Sequence, residues 1–331
     1  MKAYITHLAY ALPDKVVQNP IGRLTKKTGI FSRHITAEGE TASDLAVRAA
    51  EKIFTMGVNR ADIDFLLFCT QSPDYILPTT ACILQNWLGL PLSCGALDFN
   101  LGCSGYIYGL GLAKGLIESG QAKHVLLLTS ETYSKYINPE DNSVVPIFGD
   151  GASASLVSAL ENDKEGISIP IYGTDGSGYE KLIVPVGAQR QPYGMLREEN
   201  IDSYGNKRTN YDLFMDGAAI MQFALEHVPE TVKKILDRAG LTKEDIDYYV
   251  FHQANSFMLM YLQNMCNLMG MPFWNDVREY GNTVSSSIPI ALTDMLTRKP
   301  TKVENIMIVG FGVGLSWGGT LLNLQDCKVQ I

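Results

Sequence analysis

Cys103 stands between two glycines, in Asn100-Leu101-Gly102-Cys103-Ser104-Gly105. Upstream, Cys94 to Phe99 is a short apolar run that reads as a buried strand. Downstream, Tyr106, Leu110, Ala113 and Leu116 fall at helical spacing. The pattern sets Cys103 at a tight turn from strand into helix. A thiol there meets free backbone N–H groups and the positive end of the helix dipole. Both favour the thiolate, the nucleophilic form, so its pKa is expected below the ordinary thiol value. A lone cysteine among glycines equally fits a packing role. Two residues far downstream weigh against that reading: His252, at the end of a strand-like run, and Asn282, in Gly281-Asn282-Thr283. Each alone also fits a structural histidine, or a turn or capping asparagine.

What links the three is an internal repeat. Gly57 to Gln71 aligns without a gap on Gly240 to Ala254, 183 residues on. Each stretch reads as a helix end, a turn, an acidic cap and a buried strand. Lys123 to Thr129 answers Glu304 to Gly310 at an offset of 181, and Cys103 answers Asn282 at 179. The chain therefore reads as two copies of one βα unit, residues 1–165 and 166–331, with mostly parallel sheet covered by helices. Residues 2–11 read as a strand, and Thr41 to Met56 as a capped helix with Leu45, Ala49 and Ile53 on its apolar stripe. Residues 160–210 are loop-rich. Under a pseudo-two-fold axis, strand ends and helix starts of both halves converge. Cys103, His252 and Asn282 can then share one pocket.

Composition narrows the function. The 331 residues carry a formal net charge of −8, which argues against nucleic acid and anionic membrane surfaces as partners. Six scattered cysteines without a CxxC pair fit free thiols in a reducing cytoplasm and no metal site. No apolar run reaches membrane-spanning length. Gly310-Phe311-Gly312-Val313-Gly314 has glycines in a nucleotide-like pattern, but no acidic residue follows at the required distance, so no nicotinamide cofactor is expected.

Four stretches then match a family in order and spacing. They are Asn100 to Gly105, Phe148-Gly149-Asp150-Gly151-Ala152, His252-Gln253-Ala254-Asn255 and Gly281 to Pro289, with Gly310 to Gly318 closing the set. Over essentially its whole length the chain resembles β-ketoacyl-[acyl-carrier-protein] synthase III, of the thiolase-like superfamily. The resemblance implies a five-layered α-β-α-β-α body, a homodimer and acyl-carrier protein as partner, with acyl thioesters as substrates and no bound cofactor. It implies a decarboxylating Claisen condensation through an acyl-Cys103 intermediate. His252 and Asn282 would be neutral donors to the malonyl enolate. The backbone N–H groups of Cys103 and Val313 would form the oxyanion hole. Gly312 and Gly314 would line the substrate site. Leu77 would floor the partner's acyl pocket, where the family has a bulkier aromatic. Asp150 is expected to be structural. The alternatives are an acyltransferase of the same fold that does not decarboxylate, and a non-catalytic partner subunit.

Departures from the family cluster where it holds coenzyme A and the carrier protein. Arg23, Lys27, Asn142 and Ala218 stand at the nucleotide-contacting positions, and the shortened loop before Lys26 weakens the clamp. Residues 255–277 contain no Lys or Arg but five Met, fitting either core or a contact surface. Lys207-Arg208 is the candidate replacement for the missing basic charge. Residues 77–89 are too apolar for a solvent-facing helix, consistent with a dimer. The smaller Leu77 implies a deeper pocket, hence primers longer than acetyl, and the weak clamp implies a protein-bound carrier.

Overall fold

The structure, a computed structural model, describes residues 1–331. The first half runs β1 (Lys2–Ala11), α1 (Ala42–Thr55), β2 (Phe65–Cys69), α2 (Thr80–Trp87), β3 (Gly95–Phe99), α3 (Gly105–Glu118), β4 (His124–Glu131) and β5 (Gly151–Leu160). The second runs β6 (Ile171–Thr174), α4 (Gly217–Ala239), β7 (Tyr248–Phe251), α5 (Ser256–Met265), α6 (Ser287–Thr297), β8 (Ile306–Gly312) and β9 (Ser316–Leu322), ending in β10 (Lys328–Gln330). Sheet one has the order β10-β1-β5-β4-β2-β3, and sheet two β7-β8-β9-β6. In each, two parallel strands (β2 and β4, β7 and β8) are followed by an antiparallel one. Phe273 bridges parallel to Tyr249, a remnant of β3 in the second half.

The central layer is helical. α3 and α6 are apolar over most of their surface, as helices packed between two sheets must be, though Leu112 and Glu118 leave one edge of α3 exposed. Tyr106, Ile107 and Leu110 of α3 join Ile288 and Leu292 of α6 in one core. Leu67 and Val125 of sheet one and Ile306 and Ile308 of sheet two close on it from either side. Outside, α1 lays Leu45, Ala49 and Ile53 on sheet one. α4 and α5 cover sheet two with Phe223, Val232, Leu259 and Leu262. The result is the expected thiolase-like α/β stack of five layers. α1 starts where the sequence placed it, with Thr41 and Asp44 forming a reciprocal capping box.

The repeat extends to single hydrogen bonds. Asp64 Oδ2 accepts the backbone N–H groups of Lys123 and His124, at 2.7 and 3.0 Å. Asp247 Oδ2, 183 residues on, accepts those of Glu304 and Asn305, at 2.9 and 3.0 Å. Three features differ from the sequence reading. The sheets are mixed rather than mostly parallel, because β5 runs antiparallel to both β1 and β4, and β9 to both β8 and β6. β3 is a half-buried edge strand, with Leu97 45% exposed, because no strand covers its outer side. β10 also crosses back and pairs with β1 through His7 and Lys328, so the last residues lie in the first half's sheet. No helix is long and apolar enough to cross a membrane, and no cluster of three or more His, Cys, Asp or Glu is placed to hold a metal.

Candidate active site

β8 delivers the backbone against which Cys103 is set. A side chain at Gly312 would place its Cβ 2.9 Å from Cys103 Sγ, so only glycine lets the thiol sit there. Ser104 Oγ lies 2.8 Å from Ser316 Oγ and ties the start of α3 to β9. Cys103 itself lies just outside the helix, which begins at Gly105. Its thiol is 5% exposed.

The direction of its pKa is opposite to the one expected. Burial, with a lesser contribution from Glu131, pushes the Cys103 thiol up; only the backbone N–H groups of Cys103 and Val313 pull it down. Lost hydration outweighs two N–H contacts and the helix end. Those two N–H groups are nevertheless the pair assigned to the oxyanion hole, and both bear on the sulfur. Glu131, fully buried, is itself pushed up to about 8 by burial. Near neutral pH it is largely an uncharged acid, which removes most of its repulsion.

His252 and Asn282 line the same cavity as Cys103, a space of about 200 Å³ that also takes in Phe148, Leu182 and Gly312. His252 follows β7, is 2% exposed and meets Phe311 edge to face at 5.4 Å. Burial lowers its pKa to about 3, so the ring is neutral. Its Nδ1 lies 2.7 Å from Ser287 Oγ, and that oxygen accepts the Gln253 N–H at 3.3 Å. The Ser287 hydroxyl, which accepts from Gln253, is placed to donate its own proton to Nδ1; in that arrangement the imidazole proton sits on Nε2.

Asn282 does not open α6 directly. It bridges to Phe148, and a short 3₁₀ turn, Val284–Ser286, intervenes before the helix. Its backbone N–H donates to Ile147 at 2.9 Å, and its Oδ1 accepts the Val284 N–H at 2.9 Å. Val284 has φ of 54°, a left-handed conformation unfavourable for a β-branched residue. With Oδ1 engaged, the Nδ2 of Asn282 has no protein partner. Two neutral N–H donors, Nε2 of His252 and Nδ2 of Asn282, are thus left for whatever enters beside the thiol.

The remaining assignments fall as follows. Gly314 and Val313 line a second, larger space of about 820 Å³. Leu77 reaches neither cavity and is 79% exposed, while its neighbours Tyr75 and Ile76 line the larger one. Asp150 is structural: its carboxylate accepts Thr36 N–H and Oγ1 at 2.8 and 2.9 Å, and Ser134 N–H at 3.0 Å. Lys207-Arg208 supplies no free positive charge. Arg208 is held by Asp141 and Asp202 at 3.0 and 2.9 Å, and Lys207 by Glu199 and Glu140 at 3.3 and 3.6 Å. The Met-rich stretch divides between roles: Met258 is core, whereas Met260, Met265 and Met269 are exposed. Lys27 lies over the Phe257 ring, 4.1 Å from its centroid. Arg23 is largely exposed, and Asn142 and Ala218 are on the surface. The sequence reading missed Ser287, Gln71 and Tyr133. For Ser287 the signal was present, since it stands in the Gly281 to Pro289 motif. Gln71 and Tyr133 carried none, because their proximity to Cys103 comes from chain crossings.

Residues 97–176 match the family model 3-oxoacyl-[acyl-carrier-protein] synthase III, and residues 236–324 match its C-terminal counterpart. A putative 3-oxoacyl-[acyl-carrier-protein] synthase 3 of Campylobacter jejuni is 35% identical over 92% of this chain and 85% of its own. A β-ketoacyl-[acyl-carrier-protein] synthase III of Clostridium perfringens is 37% identical over 90% of this chain and 89% of its own. A crystal structure of a 3-oxoacyl-(acyl-carrier-protein) synthase III superposes with a TM-score of 0.95 at 46% identity, covering 98% of this chain and all of that one. The Burkholderia xenovorans 3-oxoacyl-(acyl-carrier protein) synthase gives 0.89 at 36%, over all of this chain and 97% of that one. This chain therefore belongs to the 3-oxoacyl-[acyl-carrier-protein] synthase III family, the acyl-transferring condensing enzymes with the thiolase-like fold.

Proposed function

We propose that the chain catalyses a decarboxylating Claisen condensation between an acyl thioester and malonyl-[acyl-carrier protein]. Cys103 Sγ attacks the acyl carbonyl carbon, and the oxyanion takes the N–H groups of Cys103 and Val313. The bond to the donor sulfur breaks, and the donor leaves as a thiol carrying the Cys103 proton. Malonyl thioester then loses carbon dioxide, and the electron pair of that bond becomes an enolate. Its oxygen accepts from His252 Nε2 and Asn282 Nδ2, and its carbon attacks the acyl-Cys carbonyl. The Cys103–acyl bond breaks, and the thiolate regains a proton from water.

The observation that carries this reading is the pair of unpartnered neutral donors lining the cavity of the buried thiol. A neutral imidazole and an amide suit an enolate, which needs hydrogen bonds without being protonated. One such donor contributes about 3–4 kcal/mol to a transition state of this kind. An acyltransferase without decarboxylation has no use for the Asn282 donor, and a scaffold subunit has none for the thiol.

The functional unit in this reading is a homodimer. The unpaired edge β3 carries exposed Leu97, and Trp87 and Leu92 before it, like Tyr75, Ile76 and Leu77, are exposed apolar side chains. Across such a dimer Leu77 would enter the partner's acyl space. The weak nucleotide clamp favours a protein-bound donor and a primer longer than acetyl.

The test is reconstitution with acyl donors from acetyl to decanoyl, on coenzyme A and on carrier protein, plus malonyl-[acyl-carrier protein]. One carbon dioxide is expected per 3-oxoacyl product, with acetyl-CoA not the fastest primer. Acyl transfer without carbon dioxide release would overturn the condensation. Fastest loading from acetyl-CoA would overturn the primer and carrier assignment alone.

A further inference from the structure

Two polar side chains, Gln71 and Tyr133, line a space larger than the thiol's own, which opens to the surface past Tyr75, Ile76 and Tyr193. That space, about 820 Å³, is lined by Gln71, Tyr133, Tyr136, Leu182, Tyr211 and Val313. It adjoins the thiol's own cavity: Leu182 lines both, and the Val313 N–H bears on Cys103. A Cβ placed on Gly102, next to the nucleophile, would lie 2.6 Å from Val313 Cγ1 and 2.7 Å from Gln71 Oε1. The Tyr133 ring packs on Phe148, a wall of the thiol's cavity, with centroids 5.3 Å apart. Gln71 and Tyr133 therefore lie on the side of the larger space next to Gly102 and Phe148, the neighbours of the thiol.

Both side chains are held in place, yet neither is fully used. The Tyr133 hydroxyl donates to Gln71 Oε1, and Gln71 Nε2 donates to Asn100 Oδ1 at 2.8 Å. The Gln71 backbone is pinned as well, its carbonyl accepting from Tyr136 and its N–H donating to Glu131, at 2.8 and 3.0 Å. Nε2 has a second hydrogen, and the Tyr133 oxygen can still accept; neither has a further protein partner. One free donor and one free acceptor, side by side, complement a hydroxyl group, which accepts from the first and donates to the second. A methylene at the same point covers both and leaves them dry, a penalty on the scale of a lost hydrogen bond or two.

We propose that the acyl group carried on Cys103 bears a hydroxyl, received by Gln71 and Tyr133, so that the primer is a hydroxyacyl thioester rather than a plain alkyl one. This rests on the acyl-Cys103 reading. The remaining tyrosines and the size of the space beyond leave room for the rest of such a chain.

Pantetheine thioesters test it without involving the carrier: acetyl, butyryl, 3-hydroxybutyryl and 4-hydroxybutyryl, with loading of Cys103 followed by intact-protein mass. One hydroxybutyryl form is expected to load at least tenfold faster than butyryl. Tyr133→Phe and Gln71→Leu are each expected to bring that ratio near one. The ratio is the readout because both substrates report on the same folded enzyme. Equal or faster loading of butyryl, or a preference that survives both substitutions, overturns the hydroxyacyl assignment and leaves the acyl-enzyme standing. If none of the four loads from pantetheine, the same acyl groups are presented on acyl-carrier protein; failure there too, acetyl included, overturns the acyl-enzyme itself and the proposal with it.

Discussion

Ser287 Oγ lies 2.7 Å from His252 Nδ1 and takes the Gln253 N–H on its other side. A proton donated by that serine to Nδ1 puts the imidazole proton on Nε2, the nitrogen that would donate to an enolate. Ser287→Ala is expected to lower malonyl decarboxylation about tenfold while Cys103 still loads. Nitrogen-15 spectra of the ring should show the Nε2–H form in the native protein and a tautomer mixture in the variant. An unchanged spectrum would mean that Ser287 only fills space.

Asn282 belongs to the second step. Asn282→Ala is expected to acylate at Cys103 yet lose decarboxylation by roughly 10²–10³. Because Oδ1 also holds the left-handed Val284, circular dichroism must first show that the fold survives. An equal fall in both steps with an intact spectrum would remove the enolate role.

Much of this site could be read from the sequence, for a physical reason. Cys103 and Asn282 stand at repeat-related positions, and duplication lets sequence alone predict that distant residues converge. His252 follows from the same repeat at a strand end. The pKa of Cys103 was legible only in its local contributions. Turn and helix end are written in nearby residues, but the burial that overrides them comes from chain such as Gly312 of β8, over 200 residues away. The same holds for Gln71 and Tyr133. Lys207-Arg208 misled because a basic pair looks free until its acidic partners are located in space.

The buried Glu131 gives a pH dependence with a definite sign. Its folded pKa, about 8, lies above the unfolded carboxylate value, so the native state holds a proton that the unfolded chain has released. That contribution is whole below about pH 4.5 and is lost as pH rises through 8. Glu131→Gln lacks the loss. Thermal melts should therefore show the variant gaining on the native protein between pH 5 and pH 9, where a constant difference would contradict the buried acid. His252 acts oppositely. Its folded pKa of about 3 lies below the ordinary value, so the native protein weakens as pH falls below about 6.5.

The exposed apolar strip along β3 and residues 75–77 predicts a dimer at micromolar concentration by light scattering. Leu77→Asp is expected to shift it toward monomer and to slow acyl loading. A native monomer would refute the assembly and with it the role of Leu77.

The central claim is that Cys103 carries the acyl group. Native protein and Cys103→Ala should each be incubated with an acyl thioester and weighed intact by mass spectrometry. The account predicts one acyl mass on the native chain, mapped to the peptide containing Cys103, and none on the variant. The same mass gain on Cys103→Ala would contradict it.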